Sequence, residues 1–141
     1  MRKLGGDRAA KVSHQFFSNP SQGAYDTYGK VYLPLYSNPN APEASAFRER
    51  AIERPEVALH FSSDEMASMD MRAEIANIKC PTLVIGGTLD PVTPTVCSEV
   101  ITDSIGKNAC LHMFEGCGHG PHRDDPDGAE KVMRRFLASK T

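Results

Sequence analysis

The 141 residues hold no block of lysine and arginine, no long apolar run, no C-x-x-C pair, no internal repeat and no low-complexity segment. Each absence excludes something. With 16 Lys and Arg against 18 Asp and Glu, the net charge is −2, and nothing is dense enough in positive charge to track phosphates. Neither nucleic acid nor a polybasic membrane contact is therefore an expected partner. Apolar stretches such as Leu83-Val84-Ile85 break within a few residues, here at Gly86 and Gly87, far short of a membrane span. The start, Met1-Arg2-Lys3-Leu4-Gly5-Gly6-Asp7, is basic but has no apolar run behind it. No secretory signal is read there, and a cytoplasmic location is expected. Cys80, Cys97, Cys110 and Cys117 do not form a disulfide framework; they are expected to be buried thiols in a reducing compartment.

What is present is ordinary globular composition, 40% hydrophobic and 24% charged, which argues against a disordered chain. The length fits one domain or a piece of a larger one.

The chain divides near residue 78. In the first part, Asp7 can cap a helix whose apolar positions Ala9, Val12, Phe16 and Phe17 recur at helical spacing, and Asn19-Pro20 ends it. Ser21 opens a second helix with Ala24, Tyr25, Tyr28, Val31, Tyr32 and Leu35 on one face, closed or kinked by Pro34. A loop over 37–42 precedes a third helix expected from Pro42 or Glu43 to Arg54, with Ala44, Phe47, Ala51 and Ile52 inward. Pro55 stops it, a short helical piece runs to Phe61, and residues 62–72 carry no clear signal.

The second part alternates strand and helix. Pro81-Thr82-Leu83-Val84-Ile85-Gly86 is short, apolar and bounded by Pro and Gly, as expected for a parallel strand covered on both faces. Pro94 to Ile105 reads as a helix with Val96, Val100, Ile101 and Ile105 inward, and Ala109 to Phe114 as a second strand. A Gly-rich loop, Glu115 to Gly120, leads to a last helix from Pro126 that buries Ala129, Val132, Met133, Phe136 and Leu137. Asp124 and Asp125 are read as caps of that helix. Met66, Met69, Met71, Met113 and Met133 are read as packing residues. Two parallel strands joined by a helix, with helices on one side, leave sheet edges and a sheet face without cover. Marginal stability or self-association is expected from that.

In open α/β sheets, reactive groups gather beyond the carboxyl ends of the strands. Asp90 follows the first strand and His119 the second, 29 residues later. An aspartate beside an imidazole is the orienting half of a nucleophilic triad: it fixes the tautomer and steadies the imidazolium. Glu115 is a weaker rival for the acid, and His122 is read as a neighbour. Cys110, His112, Cys117, His119 and His122 do not follow a zinc spacing, which leaves metal as a minor alternative only; no metal ligand is assigned and no cofactor is expected.

Residues 79–138, with Gly86-Gly87, Asp90-Pro91-Val92-Thr93-Pro94 and Gly116-Cys117-Gly118-His119, resemble the C-terminal end of the α/β-hydrolase fold. Leu4-Gly5-Gly6-Asp7-Arg8-Ala9-Ala10, Phe16-Phe17 and Tyr32-Leu33-Pro34-Leu35-Tyr36-Ser37 resemble the helical cap of proline iminopeptidase-like hydrolases. The resemblance implies an α/β class and a partial α/β-hydrolase fold. A helical cap at 1–78 would be followed, at 79–141, by the last two parallel strands and their helices. It implies hydrolysis of short peptides from the N-terminus, or of small amides or esters, with Asp90 and His119 as triad acid and base. Cap acids hold the free amine of the peptide in that family, and Glu56, Asp64 and Glu65 are the candidates here, each with an exposed helix acid as its plainer reading.

The chain departs from the family in one large respect. No G-x-S-x-G and no H-G-G-P-G occur, and no serine stands in a strand–elbow–helix context. A C-terminal fragment without nucleophile or oxyanion hole is expected, inactive alone. The alternatives are a truncated chain whose acid–base pair is only inherited, and an interaction module that pairs with a separate nucleophile-bearing half or with its own copy.

Overall fold

A computed structural model describes residues 2–41 and 49–139. Helix α1, Arg2–Ser18, is interrupted at Gly6, whose φ of 66° lies in the left-handed region, so the regular part begins at Asp7 as the pattern predicts. Helix α2, Gln22–Val31, is capped by Ser21, whose side chain accepts from the Ala24 N–H at 3.3 Å. It ends four residues earlier than expected. Pro34, which has no N–H to donate, sits instead in a separate 3₁₀ turn, Leu33–Tyr36. Phe16, Ala24, Tyr28 and Tyr32 form an aromatic-rich core between these helices. The phenyl ring of Phe16 lies 4.7 Å from that of Tyr28, which stacks in turn on Tyr32 at 4.8 Å.

Most of the third expected helix, including Ala44 and Phe47, lies outside the described residues. Residues 51–54 are not helical, and Ala51 and Ile52 face solvent, Ile52 at 82% exposure. The inward face assigned to them is corrected: Pro55 opens its own helix, so residues 51–54 only lead into it. That helix, α3, is Pro55–His60, and it continues into a wider π-type turn, Phe61–Glu65. A single turn, α4, follows at Arg72–Ile75.

Strands β1, Thr82–Gly87, and β2, Ala109–Phe114, pair in parallel with Thr82 opposite Ala109 and Gly87 opposite Phe114. Helix α5, Thr95–Ile105, makes the crossover. A short turn, α6, spans Pro121–Asp124, and α7 spans Pro126–Ala138. Because strand side chains alternate, Gly86 and Ile85 look to opposite faces. A Cβ on Gly86 would meet Ser98 of α5, whereas Ile85 packs with Phe114, Cys117, Ala129 and Val132 on the α7 side. The two helices therefore lie on opposite faces, correcting the expectation of a one-sided sheet.

What lacks cover is the outer surface of the helices. Ile105 of α5 is buried, but Val96, Val100 and Ile101 are 58%, 43% and 37% exposed. In α7, Ala129 is buried while Met133 and Leu137 face solvent. Two strands are too narrow to cover the whole apolar stripe of either helix. Met66, Met69 and Met71 are exposed as well, so of the five methionines read as packing, Met113 alone is half-buried. The buried-thiol reading holds for Cys117; Cys80 and Cys110 are exposed and Cys97 is intermediate, and all four are free.

Candidate active site

The two loops beyond the strands are pressed together. Thr88 N–H donates to the Phe114 carbonyl at 3.0 Å, Leu89 N–H to the Cys117 carbonyl at 2.8 Å, and Gly116 N–H to the Thr88 hydroxyl at 2.9 Å. Any side chain at Gly87 would run into the carbonyls of Cys117 and Gly118. This contact brings Asp90 and His119 together: His119 Nδ1 stands 2.9 Å from Asp90 Oδ2.

Asp90 is held on both oxygens. Oδ1 accepts from the Val92 and Thr93 N–H groups at 2.7 and 2.9 Å, and Oδ2 accepts from the Thr93 hydroxyl at 2.6 Å as well as from His119. Burial alone would raise its pKa; the hydrogen bonds from Thr93, His119 and Val92 outweigh burial and hold it below the ordinary carboxylate value. The side chain of Asp90 is 4% exposed and that of His119 is 35%. An ionised Asp90 can only accept, so Nδ1 of His119 carries the proton and Nε2 presents a lone pair. That Nε2 makes no hydrogen bond among the described residues. The pair can thus take a proton at Nε2 while the carboxylate steadies the resulting imidazolium.

Residues remote in sequence complete the surroundings. Tyr32, fully buried, donates its hydroxyl to the Pro91 carbonyl at 3.0 Å. Burial, with the neighbouring Tyr36, pushes its own pKa up to about 12. The Tyr36 ring meets His119 edge-on at 5.1 Å, its carbonyl accepts from the His119 N–H at 2.6 Å, and its hydroxyl lies 2.5 Å from that of Tyr28. Asp125 caps α7 by accepting from Gly128 N–H at 3.0 Å, as read. Asp124 is not a cap, correcting that reading: Oδ2 accepts from Gly118 N–H at 2.7 Å and Asn38 N–H at 2.8 Å. Sequence reasoning assigned no site role to Thr93, Tyr32, Tyr36 or Asp124. Thr93 was legible in principle, since its hydroxyl lies three residues from the acid in a tight turn, whereas the others act across long sequence separations.

The remaining candidates lie apart from the pair. Glu56 faces Arg54 at 3.9 Å, and Asp64 and Glu65 share His60 at 2.8 and 3.7 Å. All three acids are well exposed, and none bonds to Asp90 or His119. Glu115 is exposed in the turn after β2, and His122 is exposed on α6. No described serine bonds to His119, and no group of three potential metal ligands gathers among the described residues.

The sequence pattern of a protein family described as TAP-like protein matches residues 58–141. The chain is 23% identical over 109 residues to a pimeloyl-[acyl-carrier protein] methyl ester esterase of Photobacterium profundum, covering 74% of this chain and 42% of that protein. It is 24% identical over 115 residues to a strigolactone esterase of Arabidopsis thaliana, covering 80% and 43%. It spans less than half the length of these curated relatives. Among solved structures, an α/β-hydrolase enzyme from a Medee basin deep-sea metagenome library superposes with a TM-score of 0.56 at 18% identity, over 97% of this chain and 50% of that one. A serine hydrolase involved in carbazole degradation superposes at 0.52 with 16% identity, over 92% and 47%.

Proposed function

The chain belongs to the TAP-like family of α/β-hydrolases, and from that premise we propose that it supplies the acid and base of a serine hydrolase acting on a carboxylic ester or amide. The observation that carries this is the 2.9 Å bond from His119 to a buried, ionised Asp90 at the carboxyl-end rim of two parallel strands. Asp90 orients the ring. His119 Nε2 takes the proton of an attacking hydroxyl and returns it to the leaving group, while the carboxylate offsets the imidazolium charge between the two steps.

The attacking serine and its oxyanion donors belong to a nucleophile-bearing half outside these residues, and the 141-residue chain alone is inactive. Residues 1–78 serve as the cap over the site and 79–141 as part of the hydrolase core. The relatives named as esterases favour an ester as the reacting bond. The finer reading, removal of N-terminal residues from short peptides, uses Glu56, Asp64 or Glu65 to hold the free amine once one of them leaves its present basic partner.

The test is reconstitution with a nucleophile-bearing half, assayed in parallel on a p-nitrophenyl ester and an aminoacyl p-nitroanilide. Hydrolysis that is lost in Asp90→Asn and His119→Ala supports the reading, with losses on the order of 10³–10⁴ in kcat expected. Ester turnover without anilide turnover removes the peptidase arm. Stable assembly without any turnover would leave the inherited, inactive pair as the answer. Reaction of the isolated chain with a fluorophosphonate probe would overturn the assignment of the nucleophile elsewhere.

A further inference from the structure

The histidine loop touches the N-terminal helical segment through a compact set of backbone bonds. His119 N–H donates to the Tyr36 carbonyl, and two residues further along that segment Asn38 N–H donates to Asp124. The same carboxylate oxygen, Asp124 Oδ2, receives Gly118 N–H at 2.7 Å. One oxygen therefore ties the residue before the base to residue 38, while the base's own amide is tied to residue 36. Gly118 suits the contact because a Cβ there would strike the Tyr36 carbonyl and the backbone of Ser37.

Two features set Asp124 apart from a structural cap. The capping work at the start of α7 is already done by Asp125. Asp124 Oδ1 is also buried and takes no hydrogen bond among the described residues, an arrangement that costs stability. An acid kept at such a place, with one oxygen unused and the other bridging two segments, is better explained by placement of the loop than by stability.

We propose that Asp124 is a positioning residue for His119. It holds the histidine loop against residues 36–38, so that the ring stands with Nδ1 on Asp90 and its flank against Tyr36. A consequence is that displacement of residues 36–38, on the helical side, is passed to the base. The functional value of this role rests on the reading of His119 as base, but the geometry can be measured in the absence of turnover.

The experiment is NMR on the 141-residue chain with ¹⁵N-labelled histidine, reading the Nδ1 proton of His119 and its exchange with solvent. Asp124→Ala should speed that exchange at least tenfold and shift the ring nitrogens away from a single Nδ1–H tautomer. Asp124→Asn, which keeps an acceptor of lower strength, should raise exchange of the ring proton and of Gly118 N–H about threefold, with little change in thermal midpoint. Asp125→Ala is the control: it should lower the midpoint through loss of the cap and leave the His119 signals in place. If Asp124→Ala does not fold, Asp124→Asn decides. Ring-proton exchange within the error of the parent chain in Asp124→Asn, or an equal change in Asp125→Ala, overturns the proposal. A failure of hydrolysis in the reconstituted enzyme would touch the reading of His119 as base and leave these measurements as they are.

Discussion

The two oxygens of Asp90 are loaded differently: backbone amides hold Oδ1, while the Thr93 hydroxyl and His119 share Oδ2. Because these bonds favour the ionised form, the folded pKa lies below the unfolded value near pH 4. The stabilisation is fully present above that unfolded value and is lost as pH falls through the lower, folded one. Asp90→Asn removes the charge at nearly constant shape. Its deficit in thermal midpoint should be widest at neutral pH and should close in acid; a deficit unchanged from pH 7 to pH 2 would contradict the assignment. Tyr32 makes a second test. Tyr32→Phe leaves the buried Pro91 carbonyl without its donor, and urea titration should report a loss of about 1–3 kcal/mol. No change in midpoint would mean that the carbonyl finds another partner.

Among the elements, Gly87 of β1, like Gly118 in the histidine loop, stands where backbone approaches backbone, whereas the space beside Gly86 is taken by the side chains of Ser98 and Met113. Gly87→Ala forces the acid and histidine loops apart, with an expected cost of about 1–3 kcal/mol and loss of the ordered His119 ring signal. Gly23→Ala, in the first turn of α2 with open space around it, should be neutral or stabilising by up to about 1 kcal/mol. Equal effects of the two in denaturant titration would refute the close-approach argument. The strands, their crossover helix and the Asp90–His119 pair were legible in the sequence because each rests on local pattern: an apolar run bounded by Pro and Gly, then an acid and a histidine at strand ends. What was not legible depends on cover. The periodicity of Val96, Val100 and Ile101 marks one helix face, but periodicity does not say whether anything lies over it. Nor could Asp124 be separated from Asp125 before the fold set one on Gly118 and Asn38 and the other on Gly128, since Asp-Asp-Pro before a helix fits a cap at either position. The pairing of Tyr36 with His119 spans 83 positions in the sequence and leaves no local trace.

For the molecule as a whole, one stretch of exposed apolar surface lies beside the acid-bearing strand. Val96, Val100 and Ile101 lie on the helix that covers it, and an adjoining trough of about 410 Å³ is lined in part by Leu4, Leu89, Pro91 and Val96. Both strands also keep one edge unpaired among the described residues. Such surface favours association. Sedimentation of the chain should show concentration-dependent species, and the double variant Val100→Lys, Ile101→Gln should move the distribution toward monomer. A parent chain that stays monomeric with a sharp, cooperative thermal transition would count against this. The rim, by contrast, is fixed from one short stretch: Tyr32 reaches the acid loop, Tyr36 the base and Asn38 the histidine loop's anchor. Residues 63–74, almost all of them facing water, make no bond to that rim. Insertions, deletions and wholesale sequence replacement are therefore tolerable in 63–74 and not in 32–38. A lineage of such proteins can lengthen or reshape the outer helical stretch while the spacing of Asp90 and His119 stays as it was.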